Sequence, residues 1–436
     1  MTARVVHVRR ALAWVAALAV VLGSPVIGDV RLALLRAFPR QYVAIISTGV
    51  VLGGAIVLAL CVRAITSEAA PQTGEHAGSA SLGQCLIARP PGGRRRPKRL
   101  AESLTHFQGF QPFKTSGDRP RRIGLLVLAV ALAATSFAAL RSGNANVDAV
   151  EAFHFIEYGV LALLFFPFDR TGARWEAYLE TALASTVVGV ADEWFQWFVP
   201  GRAGEWHDVL FDLLATACGL LLCLALDVRE APASSRAVPP RGTQLGLRTA
   251  LVVVALGSFI ATIHLGSEIR DPEIGTFRSR FSAPRLRELG AERAREWGGG
   301  APPAVGRYGR EDQYEAEALW HVRRRNFGMD PDREGDPVEL DVAWYENEIL
   351  ERYFTTVLDA ASAGSAAGHR LAPEQVADVD ARRAHGQAPF VSDAEAMPIY
   401  VWPPLLFWAI IAAVAGVALV AGVWLDRRRI RSCGTS

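Results

Sequence analysis

Five carboxylates lie inside apolar stretches of this 436-residue chain: Glu157, Asp192, Glu193, Asp208 and Asp212. A charged side chain at the centre of a membrane helix costs roughly 2.5–3.5 kcal/mol on insertion scales. Five of them left charged and unpaired at mid-depth would cost on the order of 10 kcal/mol or more, so they need partners or a purpose. Their spacing shows where they point. His154, Glu157 and Tyr158 stand at i, i+3 and i+4 and share one helix face. Asp192 and Gln196 are four apart, Glu193 and Gln196 three apart, and Asp208 and Asp212 four apart. Arg202 sits in the turn signalled by Pro200-Gly201. Asp148 and Glu151 have the spacing of a capping box at the start of the His154 helix, which Pro167 closes.

Such a group can do several things. It can bind a cationic or polyhydroxylated ligand. It can run acid–base chemistry, because crowded carboxylates divide their proton affinities between an acid and a base. The catalytic candidates are then His154, Glu157, Asp192, Glu193 and Asp208, and the ligand-binding candidates are Tyr158, Gln196, Arg202 and Asp212. The same atoms can also simply lock three helices together. Oxygen-rich ligands with one imidazole would suit magnesium, manganese or a non-haem metal, but no CxxC pair or other recognised metal spacing occurs. No metal and no cofactor is expected. Nothing resembles a nucleotide-binding loop.

The elements that must position these residues follow from composition. Hydrophobic residues make up 51% of the chain and charged residues 21%, below the roughly 25% usual in soluble domains. Mean hydropathy is +0.19. The apolar residues gather into eight blocks, near residues 11–27, 42–62, 123–140, 153–168, 178–199, 206–226, 249–265 and 401–425. This predicts an all-α polytopic membrane protein of about eight spans. The division reads as two N-terminal spans (1–66), a basic linker (67–122), a four-helix core (123–226), a loop and seventh span (227–266), a small helical domain (267–400) and a last span with a basic tail (401–436).

Net charge is only +2, but the sum hides an asymmetry. The segment Arg63–Arg122 balances at +7, and Ser267–Tyr400 at −8. By the positive-inside rule the basic linker, the 169–174 turn, the 227–248 loop and the tail are cytoplasmic. Both termini are then inside a bacterial cytoplasmic membrane, and 267–400 is extracytoplasmic. One blemish is the outer loop Gly28–Gln41, with three arginines. The Gly-, Pro- and Arg-rich linker reads as a topology-setting segment and not as a nucleic-acid site. Within 267–400, helices are expected at Glu311–Phe327, around Tyr345–Leu358 and at Pro373–Ala384, with aromatic residues in the core. His321 and Arg323–Arg325 read as a solvated face. With this topology the three acidic groups meet at the outer ends of adjacent helices and form one partly hydrated pocket, ringed by Trp194, Phe195, Trp197, Phe198 and Trp206.

The motifs His154-Phe-x-Glu157-Tyr158-Gly159, Asp192-Glu193-x-x-Gln196, Pro200-Gly201-Arg202, and Asp208 followed by Asp212 and Gly219 resemble the VanZ-like family of bacterial membrane proteins. The resemblance covers about residues 123–226. Family members usually have Asn at the position of Asp212 and often Gly at that of Ala215. The resemblance implies an envelope protein associated with glycopeptide resistance, notably to teicoplanin, and carries no settled reaction. The implied partners are membrane lipid and an envelope precursor or glycopeptide.

Overall fold

A computed structural model describes residues 3–67, 118–141, 143–168, 174–199, 204–227, 241–297, 313–330, 336–360, 368–386, 389–395 and 397–433. Helices dominate it. The apolar blocks become α1 (Ala3–Ala37), α2 (Tyr42–Ser67), α3 (Arg119–Leu140), α4 (Ala145–Phe165), α5 (Arg174–Gln196), α6 (Trp206–Leu226) and α7 (Gly242–Ile263), with a last long helix at Pro404–Cys433. Five helical segments are long and apolar enough to cross a membrane: Tyr42–Thr66, Arg119–Leu140, Trp206–Leu226, Gly242–Ile263 and Pro404–Arg431. At 1.5 Å per residue, 22 residues reach about 33 Å, the thickness of the hydrocarbon core. Helices α4 and α5 are as long, and their lower hydropathy comes from the carboxylates they carry.

Three expectations change. The first helix does not stop near Ile27 but runs on to Ala37, so most of the expected loop Gly28–Gln41 is helical. One arginine there faces the acids, since Arg31 lies within electrostatic reach of Glu151. Helix α4 begins at Ala145, so Asp148 and Glu151 lie inside its first two turns and do not form a capping box. The seventh span ends at Ile263, one residue before His264.

Small residues set the closest helix contacts. A Cβ on Gly219 of α6 would stand 2.6 Å from the Cβ of Ala162 and 2.8 Å from the carbonyl oxygen of Gly159 on α4, so these two backbones touch only because Gly219 has no side chain. The last helix runs antiparallel to α7 in the same manner: Gly242 abuts Gly422, and Gly246 abuts Ala418. Asp426 closes that pair. Its Oδ1 accepts the Gly242 N–H at 2.6 Å, and its Oδ2 accepts the N–H (2.8 Å) and hydroxyl (2.7 Å) of Thr243. A carboxylate at a helix start satisfies amides that have no intrahelical partner. At the same end of the bundle Arg122 donates to the Ala225 carbonyl at 2.6 Å, Arg248 to Glu180 at 3.2 Å, and Arg429 pairs with Glu176.

Between α7 and the last helix the chain builds a separate core. An antiparallel hairpin, β1 (Ser267–Asp271) and β2 (Gly275–Ser279), packs on α8 (Ala283–Trp297), α9 (Gln313–Gly328), α10 (Pro337–Tyr353), α11 (Thr355–Asp359) and α12 (Pro373–Arg382); the last long helix is α13. Phe277, Leu286, Tyr314, Ile349, Tyr353 and Phe354 form its centre. The hairpin escaped the sequence reading because each strand offers one buried apolar residue, Ile269 or Phe277, and no run of alternation. The expected solvated face holds at Arg323, which is exposed, but not at its neighbours. His321 is buried between Phe277 and Phe354, with Nδ1 donating to Glu346 at 2.5 Å. Arg325 is buried as well, bonded to Asn347 (3.0 Å) and to the His369 carbonyl (2.7 Å). Arg324 bridges Glu339 and Asp393, both at 2.8 Å. Residues 318, 321, 322 and 325 share the inward stripe of α9, which the arginine run disguises.

Candidate functional site

Three helix ends meet on the side of the bundle that carries the 267–400 segment. Helix α4 starts there, α5 ends there and α6 starts there. Their polar residues touch. His154 of α4 donates from Nδ1 to Asp212 Oδ1 of α6 at 2.6 Å. On α5, Gln196 donates from one amide nitrogen to Glu193 Oε1 at 2.6 Å and to Asp192 Oδ2 at 3.1 Å. The other Glu193 oxygen accepts the backbone N–H of Glu205 at 3.0 Å, at the entry to α6. A carboxylate at that position complements the positive end of the helix. Gly189 permits the fit, since a Cβ there would stand 2.5 Å from Asp212 Oδ2.

Glu193 is 0% exposed, Asp212 1%, Gln196 2% and Asp192 4%. The inner members are therefore sealed between helices and do not line an open, hydrated pocket as the sequence suggested. Glu157, Glu205 and Asp208 are half-buried around them. Asp208 lies within electrostatic reach of Glu193, Asp212 and His154, and Glu157 within reach of His154 and Asp192. Tyr158 is fully buried and stacks on His154, with ring centroids 6.0 Å apart and planes at 16°. Arg202, with Pro200 and Gly201, falls outside the described residues. All the other candidates are brought into one group.

The aromatic ring around the site is more internal than expected. Trp197 is buried with Val190, Phe259, Ile263 and Met397, so it belongs to a core, and Phe198 is the exposed member.

Several partners carry no motif in the sequence. Buried polar atoms continue one turn deeper: among the described residues Ser185 Oγ on α5, Thr216 Oγ1 on α6 and Asp192 Oδ1 have no hydrogen-bond partner. Glu205, outside the spans, is pushed up to about 7, by burial first and then by Asp208 and Glu151. His264, just beyond α7, accepts the Trp206 N–H at its Nε2 (3.1 Å) and donates from Nδ1 to the Pro398 carbonyl (2.9 Å). Burial holds its pKa down to about 4. Nothing in the spacing of the acids pointed to a histidine more than fifty residues away. Among the described residues no group of three His, Cys, Asp or Glu side chains has an arrangement that could hold a metal ion.

Residues 96–227 match the family model described as VanZ/LLP1. That segment is VanZ-like. The match runs from the basic linker to the end of α6, so it contains every motif residue of the site and leaves out α1, α2, α7, the 267–400 segment and α13. No curated protein and no solved structure matches the chain. Within the VanZ-like segment the geometry accounts for one motif glycine: Gly219 lets α4 and α6 meet, which brings His154 to Asp212, whereas a Cβ on Gly159 would come no closer than 4.0 Å to the Ala215 carbonyl oxygen.

Proposed function

We propose that this membrane protein acts at the bacterial cell envelope by binding, at the acidic group, a cationic or polyhydroxylated part of a lipid, peptidoglycan precursor or glycopeptide. The observation that carries this reading is the crowding of carboxylates at the helix ends, where half-buried Glu157, Glu205 and Asp208 rim the sealed Asp192, Glu193 and Asp212. An ionised carboxylate only accepts, so a ligand that brings N–H or O–H groups to this rim complements it. By resemblance the outcome is a glycopeptide-resistance-like role. We further infer that the arginine-rich end of the bundle faces the cytoplasm and that the 267–400 segment, with the acidic group beneath it, faces outward.

The test is to express Glu193→Gln and Asp208→Asn and to measure both membrane-inserted protein and teicoplanin susceptibility. Binding predicts normal insertion with lost resistance. A purely structural group predicts reduced insertion instead, and that result would overturn the proposal.

A second reading, a membrane-embedded enzyme, draws on one observation: His154 is oriented by Asp212 at 2.6 Å, as a general base is oriented by a carboxylate. In that reading His154 moves the proton, and Glu157, Asp192, Glu193 and Asp208 hold the substrate. Turnover of an envelope precursor by reconstituted protein, abolished in His154→Gln, separates enzyme from binder.

A further inference from the structure

A second site lies outside the VanZ-like segment, where the chain passes between membrane helices and the 267–400 segment. A groove of about 640 Å³ is lined by Glu268, Arg270 and Arg278 of the hairpin and by Tyr400, Val401 and Trp402 of the returning strand. Its height relative to a bilayer follows from connectivity. The hairpin begins four residues after α7 ends, and Trp402 stands two residues before α13 begins. Both helices have membrane-spanning length and hydropathy, so the groove sits at the membrane surface.

Its two walls have different chemistry. Arg270 and Arg278 project from the hairpin face opposite buried Ile269 and Phe277, and their side chains are 80% and 50% exposed. Each has an acidic neighbour: Arg270 pairs with Glu268, and Arg278 donates to Glu395 at 3.5 Å. Guanidinium N–H groups directed elsewhere remain for a ligand, since each guanidinium carries five. Below the arginines, Trp402, Leu405, Leu406 and Trp408 of the α13 entry are exposed. Tryptophan at this level is the usual marker of the headgroup region, and an exposed leucine there faces acyl chain. A charged groove ending at Trp402, with exposed apolar side chains on the helix that starts two residues later, matches the pattern of an amphiphile.

We propose that this groove binds a glycerophospholipid, with the phosphate between Arg270 and Arg278 and the acyl chain along Leu405 and Trp408. The site is independent of the acidic group and of the reading offered for it.

The test uses purified full-length protein in detergent, titrated with phosphatidylglycerol and followed by native mass spectrometry. A basic residue at a membrane surface contributes about 1 kcal/mol toward anionic lipid, which is about fivefold in affinity. Arg270→Gln and Arg278→Gln should each weaken binding about fivefold and the double variant about twenty-fivefold, while Arg285→Gln on α8 leaves it unchanged. Both arginines are exposed, and a thermal melt checks that the variants fold. Trp402→Ala, which keeps both charges, should also weaken binding. Glycerol 3-phosphate should fail to compete at concentrations far above the lipid's. Equal lipid binding by the double variant would overturn the site. Full competition by glycerol 3-phosphate would overturn the lipid as its occupant in favour of a soluble phosphate.

Discussion

His154 and Asp212 form the shortest polar link between helices at the site, and Asp212 is the residue at which this chain departs from the usual asparagine of the family it resembles. An asparagine would keep an oxygen for the His154 N–H while removing a buried charge. Asp212→Asn should therefore leave the melting temperature of the purified protein equal or higher. Asp212→Ala, which strips the N–H of its acceptor, should lower stability by about 1–3 kcal/mol. A melt showing the two variants equally destabilised would mean that the charge itself is required. The residue types of this site were legible in the sequence, since carboxylates in apolar blocks are costly wherever they occur. The partner of Glu193 was not legible. It is a backbone amide at Glu205, and backbone donors leave no mark on side-chain spacing. His264 was hidden for a related reason: it stands as a lone histidine near the end of the seventh apolar block, and only the return of the chain at Pro398 gives it a role.

Packing between helices depends on a few positions without side chains. Gly219→Val would force apart the α4–α6 contact that seats His154 against Asp212, and reduced membrane insertion is expected on a Western blot of the membrane fraction, whereas Gly124→Ala, at a position with open space around it, should be neutral. His264 governs a different joint. The neutral imidazole with its proton on Nδ1 is the form that serves both Trp206 and Pro398. Its folded pKa of about 4 lies below the ordinary 6.5, so its contribution is present in full above pH 6.5 and is lost as pH falls toward 4. The shift corresponds to on the order of 3 kcal/mol. In thermal melts, wild type should exceed His264→Gln at pH 7, and the gap should close between pH 6.5 and 4. A gap that stays constant over that range would exclude the imidazole as the titrating group. At this scale the long helices were readable, because a span is a simple sum of hydropathy. The hairpin and α8 were not, because their burial comes from tertiary packing on Tyr314 and Phe354 and not from a periodic pattern.

Across the whole molecule the two ends of the bundle carry different polar groups. Arg122, Arg174, Arg248 and Arg429 gather at one end of the bundle, and the acidic group with the 267–400 segment lies at the other. If the arginine end is cytoplasmic, a single cysteine at exposed Val391 in a cysteine-free background should react with an impermeant maleimide on intact spheroplasts, and one at Arg427 should react only after lysis. The opposite pattern would invert the orientation. The alternation of basic loops carried that expectation, but not the way the 267–400 segment is attached. The chain enters and leaves it through neighbouring strands: the Gly266 N–H donates to the Tyr400 carbonyl at 3.1 Å, and the Tyr400 N–H to the His264 carbonyl at 2.7 Å. Entry and exit are thus pinned together above two helices that already clasp each other through their glycines. A segment whose two ends leave the bundle side by side can be lengthened or shortened far from that junction without asking the helices beneath to move, so its distal part is free to diversify while the buried acids stay in register.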